Sequence, residues 1–168
     1  MENKGVDIRV VAIANSRKML FNEEGIDLLN WKEELATTEE AMTFEGFFTK
    51  MKELNLPYSV FVDNTSNKKL IEFYPQVLDA SISIVTPNKV ANSSSYAFYQ
   101  ELQETAKKRG VKFLYETNVG AGLPVINTLQ NLMHSGDDIL KVEGVLSGSL
   151  SYIFNTYDGS TSFKDVVL

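Results

Sequence analysis

Apolar positions along the chain change period several times, and each change predicts an element. Ile8–Ala14 (IRVVAIA) is almost continuously apolar, the pattern of a strand covered on both faces. Ser59–Asp63 (SVFVD), Ser81–Thr86 (SISIVT) and Lys112–Glu116 (KFLYE) are short β-branched or aromatic runs that predict three more strands. Between them the spacing turns helical. Phe44, Phe47, Phe48, Met51 and Leu54 share a face over Phe44–Asn55, and Leu70, Phe73, Val77 and Leu78 form a second stripe. Ser93–Arg109 is the clearest predicted helix. Serines open it, Tyr96, Tyr99, Leu102 and Ala106 follow one side, and Gly110 stands just past its basic end. Another helix runs from Pro124 toward Ser135, and Asp138–Leu146 (DILKVEGVL) reads as a further strand. Core packing accounts for these stripes.

Strands alternating with helices indicate an α/β fold with a mostly parallel sheet and right-handed crossovers. In such sheets ligands collect outside the carboxyl ends of the strands, so polar residues at those ends are the candidates for chemistry. The first strand ends in Ala14-Asn15-Ser16-Arg17-Lys18, with two cations and no acid. An acid there would hold ribose hydroxyls, whereas cations suit a 2′-phosphate; a solvated basic turn is the alternative. The next ends in Asp63-Asn64-Thr65-Ser66-Asn67, small polar groups able either to cap a helix or to bind a phosphate or ribose at its start. The third ends in Thr86-Pro87-Asn88-Lys89, which places Lys89 at the ligand edge. After the fourth, Glu116 leads into Val119-Gly120-Ala121-Gly122-Leu123-Pro124. The glycines permit a sharp turn, whose role is either purely structural or the presentation of carbonyls to a hard cation.

Composition narrows the chemistry. With 16 Lys and Arg against 22 Asp and Glu, the formal charge of −6 gives no general pull toward nucleic acid. Cysteine is absent, which excludes disulfides, thiolate metal sites and a cysteine nucleophile. The single histidine, His134, supports neither a zinc site nor a Ser-His-Asp triad. No charged-then-apolar leader opens the sequence and no apolar run reaches the ~18 residues of a membrane span, so a cytoplasmic location is expected.

In order along the chain, VAIANS (Val11–Ser16), VDNTS (Val62–Ser66), VTPNK (Val85–Lys89), ANSS (91–94), FLYETNVGAGLPVI (Phe113–Ile126) and GVLSGSLSYIF (Gly144–Phe154) resemble homoserine dehydrogenase. The likeness is strongest to the dehydrogenase half of bifunctional aspartokinase–homoserine dehydrogenases. VTPNK and ETNVGAGLPVI are its specific segments. The resemblance implies NAD(P)-dependent interconversion of aspartate 4-semialdehyde and homoserine in threonine and methionine synthesis. By the same resemblance, Ala14, Asn15 and Ser16 would face the adenosine ribose, and Thr65 and Ser66 the cofactor. Lys89 would lie near the nicotinamide, orienting cofactor and substrate. Glu116 and the carbonyls of Val119, Ala121 and Leu123 would bind a monovalent cation, sodium by expectation. Ser147, Gly148 and Ser149 would line the substrate pocket, with Ser149 and Ser151 standing where many members carry threonine and asparagine.

The resemblance divides the chain into a partial Rossmann-like cofactor domain over 1–115 and the start of an α+β dimerisation and catalytic domain over 116–168. It also implies a homo-oligomer acting on a small molecule. The glycine-rich turn of a dinucleotide fold (G-x-G-x-x-G) does not follow the first apolar run, and the family's downstream Asp…Lys motif has no counterpart in Tyr157–Leu168. The expectation is therefore a fragment lacking the first β-α unit and inactive by itself. Two rivals remain. Aspartate semialdehyde dehydrogenase has similar topology but requires the missing cysteine, and a non-catalytic association or regulatory module would tolerate both departures.

Overall fold

The computed structural model describes residues 5–167. It comprises two compact units, one through Ser59 and one from Val60 onward.

In the first unit a hairpin pairs β1 (Ala12–Ala14) antiparallel with β2 (Met19–Phe21), Ile13 opposite Leu20. Asn15 makes the turn: its Oδ1 accepts the backbone N–H of Arg17 at 2.8 Å and of Lys18 at 2.9 Å. Two helices follow, α1 (Trp31–Thr37) and α2 (Phe44–Leu54). Thr43 caps α2 by accepting Gly46 N–H, and Asn55 ends it in the left-handed conformation at φ 44°. Met19, Ile26, Leu35, Phe47 and Phe48 are buried, and the Phe21 and Phe47 rings meet at 5.0 Å. The long parallel strand expected over Ile8–Ala14 is thus replaced by three residues of an antiparallel ribbon, while Ile8 is exposed. An apolar run gives no direction of pairing, and here the tight Asn15 turn supplies the nearest partner.

The second unit holds a parallel sheet of order β3-β4-β5, formed by Val60–Val62, Ser83–Val85 and Phe113–Leu114. In register, Phe61 faces Ile84 and Ile84 faces Phe113, so these three side chains form one inward row. Onto that row pack α3 (Tyr74–Asp79), entered through a 3₁₀ turn at Leu70–Phe73, and α4 (Tyr96–Arg109). Tyr74, Val77, Leu78 and Leu102 are fully buried, each contributing about 1.5–3 kcal/mol by burial. The Tyr74 ring lies edge-on to Phe61 at 6.5 Å and to Phe113 at 5.9 Å. Ser95 caps α4 by accepting Phe98 N–H, Gly110 ends it at φ 69°, and Arg109 pairs with Asp79 of α3 at 2.7 Å. The opposite row of the sheet, Val60, Val62, Val85 and Leu114, is exposed.

Beyond Asn118 lie α5 (Val125–His134), α6 (Gly148–Thr156) and α7 (Phe163–Val167), none with a buried residue. The strand expected over Asp138–Leu146 is not formed. Its alternation is real, but no neighbouring strand offers the ladder that would fix it, and Leu140 and Val145 project into solvent.

Candidate functional site

Parallel strands end on the same edge, so the segments after β3, β4 and β5 share one rim of the second unit. Asp63 follows β3 directly and is buried, as are Thr86 and Asn88 after β4. One Asp63 carboxylate oxygen accepts the Thr65 backbone N–H at 2.7 Å. The other accepts the Tyr74 hydroxyl at 2.6 Å and the Asn88 side-chain amide at 3.0 Å. Thr86 Oγ1 donates to the Asp63 carbonyl at 2.9 Å and accepts Asn88 N–H at 2.9 Å. Asn88 Nδ2 also reaches the Asn67 carbonyl at 3.2 Å. Every member has a partner, as buried polar groups require. Burial first, and then the neighbouring Asp63 carboxylate, push the Tyr74 hydroxyl well above the ordinary tyrosine range, keeping it a donor.

On this buried scaffold stand the exposed candidates. Thr65 and Ser66 lie on the loop after β3, with Thr65 Oγ1 accepting Asn67 N–H at 3.1 Å. Lys89 lies in the loop after β4. Its carbonyl accepts the Ser93 hydroxyl at 2.9 Å, and its ammonium forms no ion pair among the described residues.

After β5, a 3₁₀ turn at Glu116–Asn118 joins the same rim. Asn118 Nδ2 donates to the Thr86 carbonyl at 3.2 Å, and Asn118 Oδ1 accepts from Asn92 Nδ2 at 2.9 Å. The Glu116 carboxylate accepts the backbone N–H groups of Ile126 at 2.9 Å and Asn127 at 2.8 Å. It therefore closes the N-terminus of α5, where negative charge is favoured. Gly120 and Ala121 take positive φ, 71° and 52°, turning their peptides sharply. The donor set expected for a cation is all oxygen, which suits a hard monovalent ion. Glu116 keeps unused lone pairs, while the Leu123 carbonyl already accepts Val125 N–H at 2.9 Å.

In the first unit, Ala14, Asn15 and Ser16 are exposed at the hairpin turn. Asn15, Ser16, Arg17, Lys18, Leu35 and Ala36 surround a cleft of about 350 Å³. Lys18 Nζ donates to the Ala36 carbonyl across it, and the exposed Arg17 forms no ion pair among the described residues.

Thr65, Ser66, Lys89 and Glu116 thus fall on a single rim, as their strand-end positions imply. Ser147, Gly148 and Ser149 open α6 instead, where Ser147 Oγ accepts Leu150 N–H at 3.2 Å. No hydrogen bond among the described residues links them to the rim. His134 sits in the last turn of α5, and no cluster of three His, Cys, Asp or Glu able to hold a metal occurs among the described residues. Sequence reading missed Asp63, Tyr74, Thr86 and Asn88 as one unit. The available signal was an Asp and a Thr directly following two apolar strands, the positions that registration places side by side.

Comparison with known proteins decides the family. The family model described as the homoserine dehydrogenase NAD-binding domain matches residues 1–116. The chain belongs to the homoserine dehydrogenase family. A second family model, described as homoserine dehydrogenase, matches residues 124–168. Among relatives, the bifunctional aspartokinase/homoserine dehydrogenase of Haemophilus influenzae is 43% identical over 166 residues, covering 99% of this chain and 20% of that protein. A chloroplastic bifunctional enzyme of Zea mays is 42% identical, with 99% and 18% covered. The homoserine dehydrogenase of Schizosaccharomyces pombe is 36% identical, with 98% and 46% covered. A hyperthermophilic archaeal homoserine dehydrogenase solved with NADPH superposes with TM-score 0.77 at 25% identity, covering 98% of this chain and 51% of that one. The chain spans between about a fifth and a half of the length of these relatives. Relatives of both bacterial and chloroplast origin occur, and no helix among the described residues is long and apolar enough to cross a membrane.

Proposed function

We propose that this chain is the NADP-binding portion of a homoserine dehydrogenase and takes part in interconverting aspartate 4-semialdehyde and homoserine. The observation that carries the proposal is the strand-end rim, where the loop bearing Thr65 and Ser66 is fastened to the loop bearing Lys89 by Asp63 and Asn88. When bound, the cofactor would supply the hydride that reduces the aldehyde carbon. Thr65 and Ser66 offer hydroxyls to its phosphate or ribose groups. Lys89, exposed and without an ion pair among the described residues, orients cofactor and substrate and places positive charge where the carbonyl oxygen becomes an alkoxide. By family resemblance Ala14, Asn15 and Ser16 would face the adenosine ribose, and the Arg17 guanidinium, which lines the same cleft, favours a 2′-phosphate over a bare hydroxyl.

Glu116 with the carbonyls of Val119, Ala121 and Leu123 would hold a monovalent cation, by family resemblance sodium, whose charge offsets the carboxylate and stiffens the turn. Ser147, Gly148 and Ser149 belong to the substrate pocket of the whole enzyme. The division near residue 115 into a cofactor part and a dimerisation and catalytic part belongs to the same reading. So does a homo-oligomer, supported by the exposed Leu132, Met133, Leu150 and Phe154 of α5 and α6. A cytoplasmic setting suits the cysteine-free composition. Titration of the chain with NADPH and NADH, followed by nucleotide fluorescence, tests the proposal. Binding of NADPH at least about tenfold tighter than NADH, lost in Arg17→Glu, is expected. No binding of either nucleotide would overturn the proposal.

A further inference from the structure

We propose that Asn88 is a positioning residue that makes the Thr65–Ser66 loop and Lys89 a single rigid element. This rests on the cofactor reading above. Asn88 is buried, and each hydrogen-bonding group of its side chain is used. The two amide hydrogens go to the two ends of the loop after β3, Asp63 Oδ2 at 3.0 Å and the Asn67 carbonyl at 3.2 Å. The side-chain oxygen accepts Val90 N–H at 3.1 Å, while the Asn88 backbone N–H is held by Thr86 Oγ1 at 2.9 Å. Lys89 is therefore pinned on both sides by the residue that also clasps the neighbouring loop. Thr65 enters through Asp63, whose other oxygen accepts its backbone N–H at 2.7 Å. The lysine and the hydroxyl residues cannot drift apart while this clasp holds, and such preset geometry is what cofactor and substrate alignment requires.

The isosteric Asn88→Asp variant separates positioning from shape. It removes both donors and sets a carboxylate against Asp63, a pair that cannot both remain ionised at little cost. Asn88→Ala removes the clasp without adding charge. In the full 168-residue chain, both variants are expected to bind NADP⁺ at least about tenfold more weakly than the unaltered protein. Acidification lets one proton be shared between the two facing carboxylates and restores a single donor, so affinity relative to the unaltered chain at the same pH should recover in part in Asn88→Asp and not in Asn88→Ala. Amide hydrogen exchange supplies the independent readout. Exchange at Thr65 should accelerate at least about tenfold in both variants while Ile84 in β4 is unchanged. Unaltered NADP⁺ affinity and unaltered Thr65 exchange in both variants would overturn the inference, as would equal acceleration at Ile84, which signals general loosening. If the unaltered chain fails to bind NADP⁺, the cofactor reading falls and Thr65 exchange alone decides the coupling.

Discussion

Residues 60–118 and 119–167 both carry large apolar side chains at regular spacing, yet they meet opposite fates. In the first stretch, Phe61, Ile84 and Phe113 form a row that α3 and α4 cover completely at Tyr74, Leu78 and Leu102. In the second, no residue is buried: Leu140 is 95% exposed, Val145 76% and Phe154 68%. Hydrophobic periodicity states which face of an element seeks cover. It does not supply the cover. The first stretch obtains it from its own βαβ crossovers, where sequence neighbours become spatial neighbours.

The widest separation between the two stretches should come from truncating their side chains. Leu78→Ala is expected to cost about 2–5 kcal/mol in global stability, whereas Leu140→Ala changes it by no more than about 0.5 kcal/mol. Urea unfolding followed by circular dichroism measures both, and equal losses would erase the contrast. Next in size, Tyr74→Phe should cost about 1–3 kcal/mol, because the buried Asp63 carboxylate loses its 2.6 Å donor. The same tyrosine gives a pH signature. Its folded-state pKa lies above the unfolded value, so its contribution is complete below about pH 10 and is lost as pH rises further. Tyr115, raised by burial and then by its bond to Tyr99, acts in the same direction. Melting temperature should fall more steeply with alkaline pH in the unaltered chain than in Tyr74→Phe. A parallel decline in both would assign the loss elsewhere.

Smaller effects sharpen the comparison at the helix caps. Ser95→Ala should lower global stability by about 1 kcal/mol, since α4 is anchored by Leu102 and Ala106. Ser147→Ala should leave it unchanged within about 0.5 kcal/mol, because α6 buries nothing. The exposed apolar positions predict an association effect as well. Sedimentation should reveal concentration-dependent self-association that Phe154→Lys weakens, and a single monomeric species at all concentrations would contradict this.

Elements whose contacts are nearly local were legible in the sequence. The α4 helix was announced by its opening serines and Gly110, although it begins at Tyr96 rather than Ser93, and β3, β4 and β5 by their β-branched and aromatic runs. The β1–β2 hairpin was not, since Met19-Leu20-Phe21 is too short to show a period and Asn15 forms its turn through side-chain bonds. Helix α1 was missed for a related reason: Asn30 makes no capping bond, and Leu35 alone is buried. At the site, the shared rim of Thr65, Ser66, Lys89 and Glu116 was legible because strand ends lie on one edge, whereas their roles were assigned only by family resemblance. The bonds beneath their loops from Asp63 to Tyr74 and to Asn88 span 11 and 25 residues, and no spacing rule reveals such pairings.

Asp63 receives three donors from three different stretches of chain, so its replacement disturbs three neighbourhoods together. Evolutionary drift at this position is consequently coupled. A replacement unable to accept from both would leave the buried Tyr74 hydroxyl and Asn88 amide in search of another acceptor, so a tolerated exchange of Asp63 should come with changes at those two positions.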